Sequence, residues 1–201
     1  MVAALGTPTA ADAVERLLSY LVQFGLLVSI LLAMGSVATE KERGTAAWIL
    51  SKPVSRGAFL AAKQAAIAVN LGIAVVAGAL AGYLYIGMLY GTWLPVAGFA
   101  AMGALLWLTL VAFAALTFLG STLTRSSLAA AGIGFVAFAV TAALGNLPVV
   151  GPFMPGSLAA PAQALAVGVE PGPVVGPVAV TVAMVLGLAT VSWLAFRRQE
   201  L

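Results

Sequence analysis

Cysteine and histidine are both absent from this chain of 201 residues. Their absence excludes disulfides, thiolate nucleophiles, imidazole bases and the usual zinc and copper ligand sets. Charge is also scarce, because only 7% of the residues are charged, against about 25% in typical globular proteins. A soluble domain with so little charge could not cover its surface, and 63% of the residues are hydrophobic. The composition therefore predicts an integral membrane protein.

Five uncharged apolar stretches are candidates to cross a hydrocarbon core of ~30 Å, which needs about 20 helical residues. They are residues 17–38, 64–88, 96–120, 127–144 and 174–196. The sequence thus predicts an all-α bundle of five transmembrane helices that forms a single transmembrane domain over residues 1–201.

A proline- and glycine-rich stretch, residues 145–173, separates the fourth and fifth predicted spans. It mixes apolar residues with helix breakers and contains one candidate short helix at 157–167. We expect an external surface loop with an interfacial helix. The alternative is a re-entrant segment, which requires cover by protein or water because irregular backbone is otherwise excluded from membrane depth.

Local signals predict how several helices begin and meet. Thr9 and Asp12 have the spacing of a capping box that opens a helix leading into the first span. Gly78 and Gly82 have the small-xxx-small spacing that allows close contact between membrane helices. Serine and threonine side chains within the spans are expected to bond to the backbone of their own helix or to a neighbouring helix.

Lysine and arginine are distributed unevenly between the two sides that five alternating helices define. Eight of the nine fall in segments 39–63, 121–126 and 197–201, and the ninth is Arg16. Because basic loops stay in the cytoplasm, the N-terminus is predicted to lie outside and the C-terminus inside. The chain is then a multi-pass protein of the cytoplasmic (inner) membrane whose basic residues contact lipid headgroups. No basic patch is long enough to predict nucleic-acid binding.

No combination of residues in the sequence predicts catalysis. No Asp, Glu, Lys or Arg lies within the five predicted spans, so the hydroxyl groups there have no base to activate them. A nucleotide-binding loop of the form GxxxxGK[ST] is also missing, since none of Lys41, Lys52 and Lys63 follows such a glycine pattern. We therefore predict that the chain is not an enzyme, binds no cofactor itself, and takes the energy for any uphill transport from a partner.

The charged segment, residues 40–56 with the sequence EKERGTAAWILSKPVSR, is the one sizeable cytoplasmic feature that the topology predicts. Glu40 and Arg43 have the spacing of an ion pair on a helix surface, and an apolar run around Trp48 follows them. The pattern predicts a short amphipathic helix with charge at both ends. Anchoring in lipid explains the basic residues and the tryptophan, but the acidic residues favour a protein partner in the cytoplasm.

The pattern Glu40-x-Glu42-x-Gly44-Thr45, followed by an apolar run, then SKPVSR and Lys63, closely resembles the cytoplasmic loop of ABC-2 type permeases. These are the membrane subunits of bacterial and archaeal ATP-binding-cassette exporters. The resemblance implies that a short helix in this loop docks on a separate cytoplasmic ATPase, which binds the ATP, and that two permeases work with two ATPases. It implies coupling roles for Glu40, Glu42, Arg43, Gly44, Thr45, Trp48, Ile49, Lys52, Pro53, Ser55 and Arg56.

The resemblance makes an exporter permease the expected function, as a homodimer or beside a second permease. The alternative is a non-transporting membrane scaffold that recruits a cytoplasmic partner. Family members usually have six spans with both termini inside, so a chain with five is expected to lack the first helix. A stripe of small residues, Gly25, Ser29 and Ala33, is then expected to face the missing helix. The residues do not select a substrate.

Overall fold

The computed structural model of the chain describes residues 8–45, 48, 51 and 55–199, and this part contains helices and no strand. The helices are α1 (Ala10–Met34), α2 (Ala38–Glu42), α3 (Arg56–Tyr90), α4 (Val96–Leu123), α5 (Ser127–Gly145), α6 (Ala159–Val167) and α7 (Val175–Arg197), with two 3-10 turns at Gly151–Phe153 and Pro155–Leu158. Five of the helical stretches, those containing α1, α3, α4, α5 and α7, are long and apolar enough to cross a membrane. The predicted all-α class with five such helices is confirmed.

Helix α4 is the centre of the bundle. It contacts α1, α3, α5, α6 and α7. More than half of its apolar stretch is buried, against 11–28% in the other four membrane-length stretches. Neither the interior of the bundle nor the hydrocarbon of a membrane requires a polar face, which explains why the sequence of α4 shows no amphipathic pattern.

Small residues bring α1 close to both of its main neighbours. The side chains of Leu21 and Leu17 on α1 lie against Gly78 and Gly82 on α3, so the close contact predicted from the spacing of these two glycines is confirmed. On α4, Leu110 packs against Gly25, where an added methyl group would lie 2.6 Å from Leu110 Cδ1.

The stripe of Gly25, Ser29 and Ala33 is therefore covered by the chain's own helix. Ser29 and Ala33 are fully buried, and Leu110 of α4 fills the space at Gly25. The expectation that this stripe faces a missing helix is wrong. Small residues permit close approach but carry no information about which helix approaches.

Helix starts follow the local signals. Thr9 and Asp12 form the predicted capping box at the start of α1, and the Ser55 hydroxyl caps α3 by accepting from the Ala58 N–H at 3.1 Å. The Ser192 hydroxyl in α7 is buried with no hydrogen-bond partner among the described residues. Six of the other hydroxyl groups within the long helices donate to backbone carbonyls, as expected for side chains with no water to bond. These are Ser29, Thr109, Thr117, Thr141, Thr181 and Thr190.

The stretch after α5 differs from the expected surface loop. The Thr109 hydroxyl donates to the Pro155 carbonyl at 3.3 Å, and Thr109 lies thirteen residues after Val96, the first residue of α4. At 1.5 Å per residue, this contact lies ~20 Å along α4. Pro155 and Leu158 are buried there, and α6 then runs back along α4 until the Leu165 carbonyl meets Gly98. The 3-10 turns and α6 thus enter the bundle and return, covered by protein as irregular backbone requires.

Candidate functional site

Three segments that the sequence assigns to one side of the membrane meet at one end of the bundle. The Ser121 hydroxyl, at the end of α4, accepts from the backbone N–H groups of Val37 and Ala38 at 3.1 and 2.9 Å. The Lys41 ammonium donates to the Thr122 carbonyl at 2.6 Å. These bonds fasten the start of α2 and Lys41 within it to the last turn of α4. This agrees with the predicted grouping of the basic loops, while the side of the membrane that they occupy stays a prediction.

Glu40 forms an ion pair with Lys63 on α3, and both side chains are half-buried. The predicted pair of Glu40 with Arg43 is replaced by this longer-range pair. Helix α2 has only five residues; Glu40 reaches Lys63 in α3, and Arg43 ends α2 as its cap residue. The second carboxylate oxygen of Glu40 is buried with no hydrogen-bond partner among the described residues. Lys63 also lies 5.7 Å from the centre of the Phe59 ring.

Arg56 begins α3 and binds the end of α7. Its Nη1 atom donates to the carbonyl oxygens of Phe196, Arg197 and Gln199 at 3.0, 3.1 and 2.7 Å. The last carbonyls of a helix have no partner within the helix, so Arg56 satisfies groups that α7 leaves open. The resemblance implied a role for Arg56 toward a partner protein. That role stays a prediction, and the structure shows Arg56 engaged with the chain's own C-terminal end.

Aromatic side chains strengthen the same junction between α3 and α7. Phe59 stacks on Phe196 with the ring centres 5.8 Å apart and the planes 15° from parallel. The indole nitrogen of Trp193 lies 3.2 Å from where a methyl group at Gly57 would sit, so glycine allows the close approach. Both elements are therefore held together by apolar contact as well as by hydrogen bonds.

Between these two attachments, the structure describes Gly44, Thr45, Trp48 and Ser51 of the charged segment. Gly44 has a φ of +71°, with no neighbouring atom within contact distance of a Cβ position, so glycine is favoured there by its backbone conformation. The Thr45 hydroxyl donates to the Glu40 carbonyl at 3.2 Å, and the Ser51 hydroxyl donates to the Trp48 carbonyl at 2.7 Å. Trp48 is 65% exposed.

Of the other predicted coupling residues, Glu42 and Arg43 are exposed and Ser55 caps α3. Ile49, Lys52 and Pro53 lie outside the described residues. An open cavity of about 490 Å³ lies beneath the segment, with Thr39, Glu40, Arg43, Trp48 and Lys63 in its lining. It combines both signs of charge with an aromatic wall, and it is large enough to receive a side chain from a docking protein.

Several residues of this site were not singled out from the sequence as site residues: Lys41, Lys63, Ser121, Thr122 and Gln199. Lys63 formed part of the recognised pattern, but no local signal tied it to Glu40. The other contacts join residues that are 77 to 158 positions apart, and no short-range pattern encodes them. In the part of the chain that the structure describes, no group of acidic residues could hold a metal ion.

The membrane-length helices define a multi-pass membrane protein, and the charged segment and its polar contacts lie at one end of the bundle. The chain belongs to the ABC-2 family: residues 9–167 match the family described as ABC-2 family transporter protein. It is also similar to the uncharacterized transmembrane protein YxlG of Bacillus subtilis, with 29% identity over 198 residues that cover 96% of this chain and 75% of the relative. The chain is therefore a membrane component of an ABC transporter, and membership of this family implies pairing with a cytoplasmic ABC ATPase.

Proposed function

We propose that the chain is the permease subunit of an exporter in the cytoplasmic membrane, and that a separate ATPase docks on the charged segment. The observation that carries this proposal is the arrangement of residues 40–56. Both ends of the segment are fastened to the bundle, through Lys41 and Arg56, and Trp48, which lies between them in sequence, is exposed. An exposed tryptophan in a segment whose two ends are bonded to the bundle resembles the aromatic anchors that dominate protein interfaces.

The attachments give the ATPase a means of moving the helices. Glu40 and Lys41 connect the segment to α3 and to the end of α4, while Arg56 connects it to α7. A displacement of the docked segment therefore acts on three spanning helices at once. Because the sequence has no nucleotide-binding loop, ATP binds on the partner. We propose a transporter of two such permeases, identical or different, with two ATPases.

The test of this function is the recovery of an ATPase with the chain. The tagged protein is purified from native membranes in a mild detergent, and its partners are identified by mass spectrometry. We expect an ABC ATPase in roughly one-to-one ratio with the permease, as the proposed assembly requires. Recovery of a different cytoplasmic protein, with no ABC ATPase, would contradict the permease reading and support the membrane scaffold.

The orientation of the chain can be tested by cysteine labelling, since the native sequence contains no cysteine. Single cysteines at the exposed positions Pro8, Ser51 and Glu170 are treated with a membrane-impermeant thiol reagent. The excess of basic residues predicts that Pro8→Cys and Glu170→Cys react in intact protoplasts or spheroplasts, and that Ser51→Cys reacts only after permeabilisation. Labelling of Ser51→Cys before permeabilisation, with the other two protected, would reverse the topology and place the charged segment outside.

A further inference from the structure

Gln199 lies beyond the end of α7 and touches both ends of the charged segment. Its side-chain oxygen accepts from the Lys41 ammonium at 3.3 Å, and its backbone carbonyl accepts from Arg56 at 2.7 Å. Its side-chain amide donates to the Thr122 carbonyl at 2.9 Å. Its own N–H donates to the Phe196 carbonyl at 3.3 Å. All four polar groups of this one residue are therefore engaged.

We propose that Gln199 is a positioning residue that clasps the two ends of the charged segment, so that the segment is presented to the ATPase as one fixed unit. This inference rests on the proposed function for its purpose and on the contacts of Gln199 for its geometry. It assigns a coupling role to the C-terminal tail, far from the segment in sequence.

The chemistry of the site suits a neutral amide. Lys41 and Arg56 stand at the two ends of the segment, and both donate to Gln199. Gln199 offers each of them an acceptor, and its NH₂ group holds the acceptor in place by donating to Thr122, whose carbonyl also accepts from Lys41 at 2.6 Å. An aliphatic residue in its place supplies no side-chain acceptor, and a basic residue adds a third cation.

The first end of the segment is already bonded to the bundle through Ala38, Lys41 and Glu40, and the clasp adds a link from this end to Arg56 at the other. Helix α2 has five residues and follows the turn at residues 35–37. Without a link between Lys41 and Arg56, the two ends of the segment could move relative to each other, and docking would then have to fix them at an entropic cost. Joining both ends through one residue removes much of that freedom before the partner arrives.

Hydrogen exchange of the permease alone tests the geometry. Gln199→Ala keeps the backbone carbonyl that binds Arg56, but it removes the side-chain bonds to Lys41 and Thr122 that hold this carbonyl in place. We therefore expect backbone amides of residues 38–44 and of residues 57–60 to exchange about tenfold faster. The matched control is Arg198→Ala, which removes the exposed neighbouring side chain and should leave both regions at the wild-type rate. If Gln199 only completes the end of α7, exchange will rise in the tail alone, and the clasp is then wrong.

Recovery of the ATPase tests the purpose of the clasp. With the folded Gln199→Ala protein, we expect about threefold less ATPase in the purified complex than with wild type or Arg198→Ala. Faster exchange at both ends with undiminished recovery would overturn the positioning role. A wild-type chain that recovers no ATPase would instead contradict the proposed function, and the exchange result would still decide whether Gln199 clasps the segment.

Discussion

Gly98→Ala is expected to destabilise the folded chain by about 2–3 kcal/mol, at the upper end of the usual cost of overpacking. A Cβ atom at this position would overlap the carbonyl oxygen of Leu165, and the Leu165 carbonyl carbon lies 2.9 Å away. The obstacle is backbone of α6, so no change of rotamer can relieve the overlap. Helix α6 has to shift away from α4, and the buried contacts of Leu158, Ala162 and Ala166 are weakened with it.

Thermal unfolding in detergent measures this effect, with a lowering of Tm by about 4–12 °C expected for a chain of this size. Gly132→Ala is the matched control, because Gly132 lies within α5 and has open space where its Cβ would be. Alanine there should leave the stability unchanged or raise it slightly, since alanine favours a helix by roughly 1 kcal/mol over glycine. A Gly98→Ala protein that unfolds at the wild-type temperature would show that α6 does not cross α4 at this point.

The fold class was predictable because membrane-spanning helices leave long uncharged runs in the sequence. Their ends were less predictable, since a helix continues wherever its backbone bonds and caps allow. Helix α3 has 35 residues, which is ~52 Å and well beyond the ~30 Å hydrocarbon core. Its first residue, Arg56, lies in what the hydropathy pattern assigned to a loop. The Ser55 cap was the local signal for the true start.

The stretch from Gly151 to Leu158 could not be placed from its sequence. Proline, glycine and apolar residues occur both in surface loops and in irregular backbone enclosed by helices, so composition does not separate the two. Contacts with α4 decide the matter, and the bond from Thr109 to Pro155 joins residues 46 positions apart. The same limit applied to Glu40, for which the sequence offered Arg43 at helical spacing and the fold provided Lys63.

In the charged segment, some features follow from the neighbouring residues, whereas others depend on contacts with residues far away in sequence. Gly44 and Ser55 could be assigned from residue type, because a positive φ and a helix cap are properties of the backbone nearby. For Arg56, the resemblance implied a coupling role, and no local signal indicated its bonds to the end of α7. Charged residues in a polar loop look alike in sequence whether they face a partner or brace the bundle, and only the fold distinguishes Arg43 from Arg56.

Trp48→Ala is expected to weaken binding of the ATPase by about 30-fold, and ATP-dependent transport should be lost with it. Trp48 is 65% exposed in the isolated chain and borders the cavity beneath the charged segment. A tryptophan that becomes buried in a partner's apolar cleft commonly contributes upwards of ~2 kcal/mol to binding, and each 1.4 kcal/mol corresponds to about a tenfold change in Kd. The attachments of Lys41 and Arg56 do not involve this side chain, so expression and membrane insertion should stay close to normal.

Trp93→Ala provides the matched control, because Trp93 is exposed to a similar degree, 58%, in the turn between α3 and α4. That turn is separated from the charged segment by the full length of α3. Both variants and wild type are purified in the same detergent with the co-expressed ATPase, and the amount of ATPase recovered with each is compared after their thermal stabilities are measured. Docking on the charged segment requires loss of the ATPase from Trp48→Ala alone. Equal recovery with all three proteins would contradict docking through Trp48 and would support its role as an interfacial anchor. A tryptophan that only holds the segment at the lipid headgroups leaves the affinity of a cytoplasmic partner unchanged.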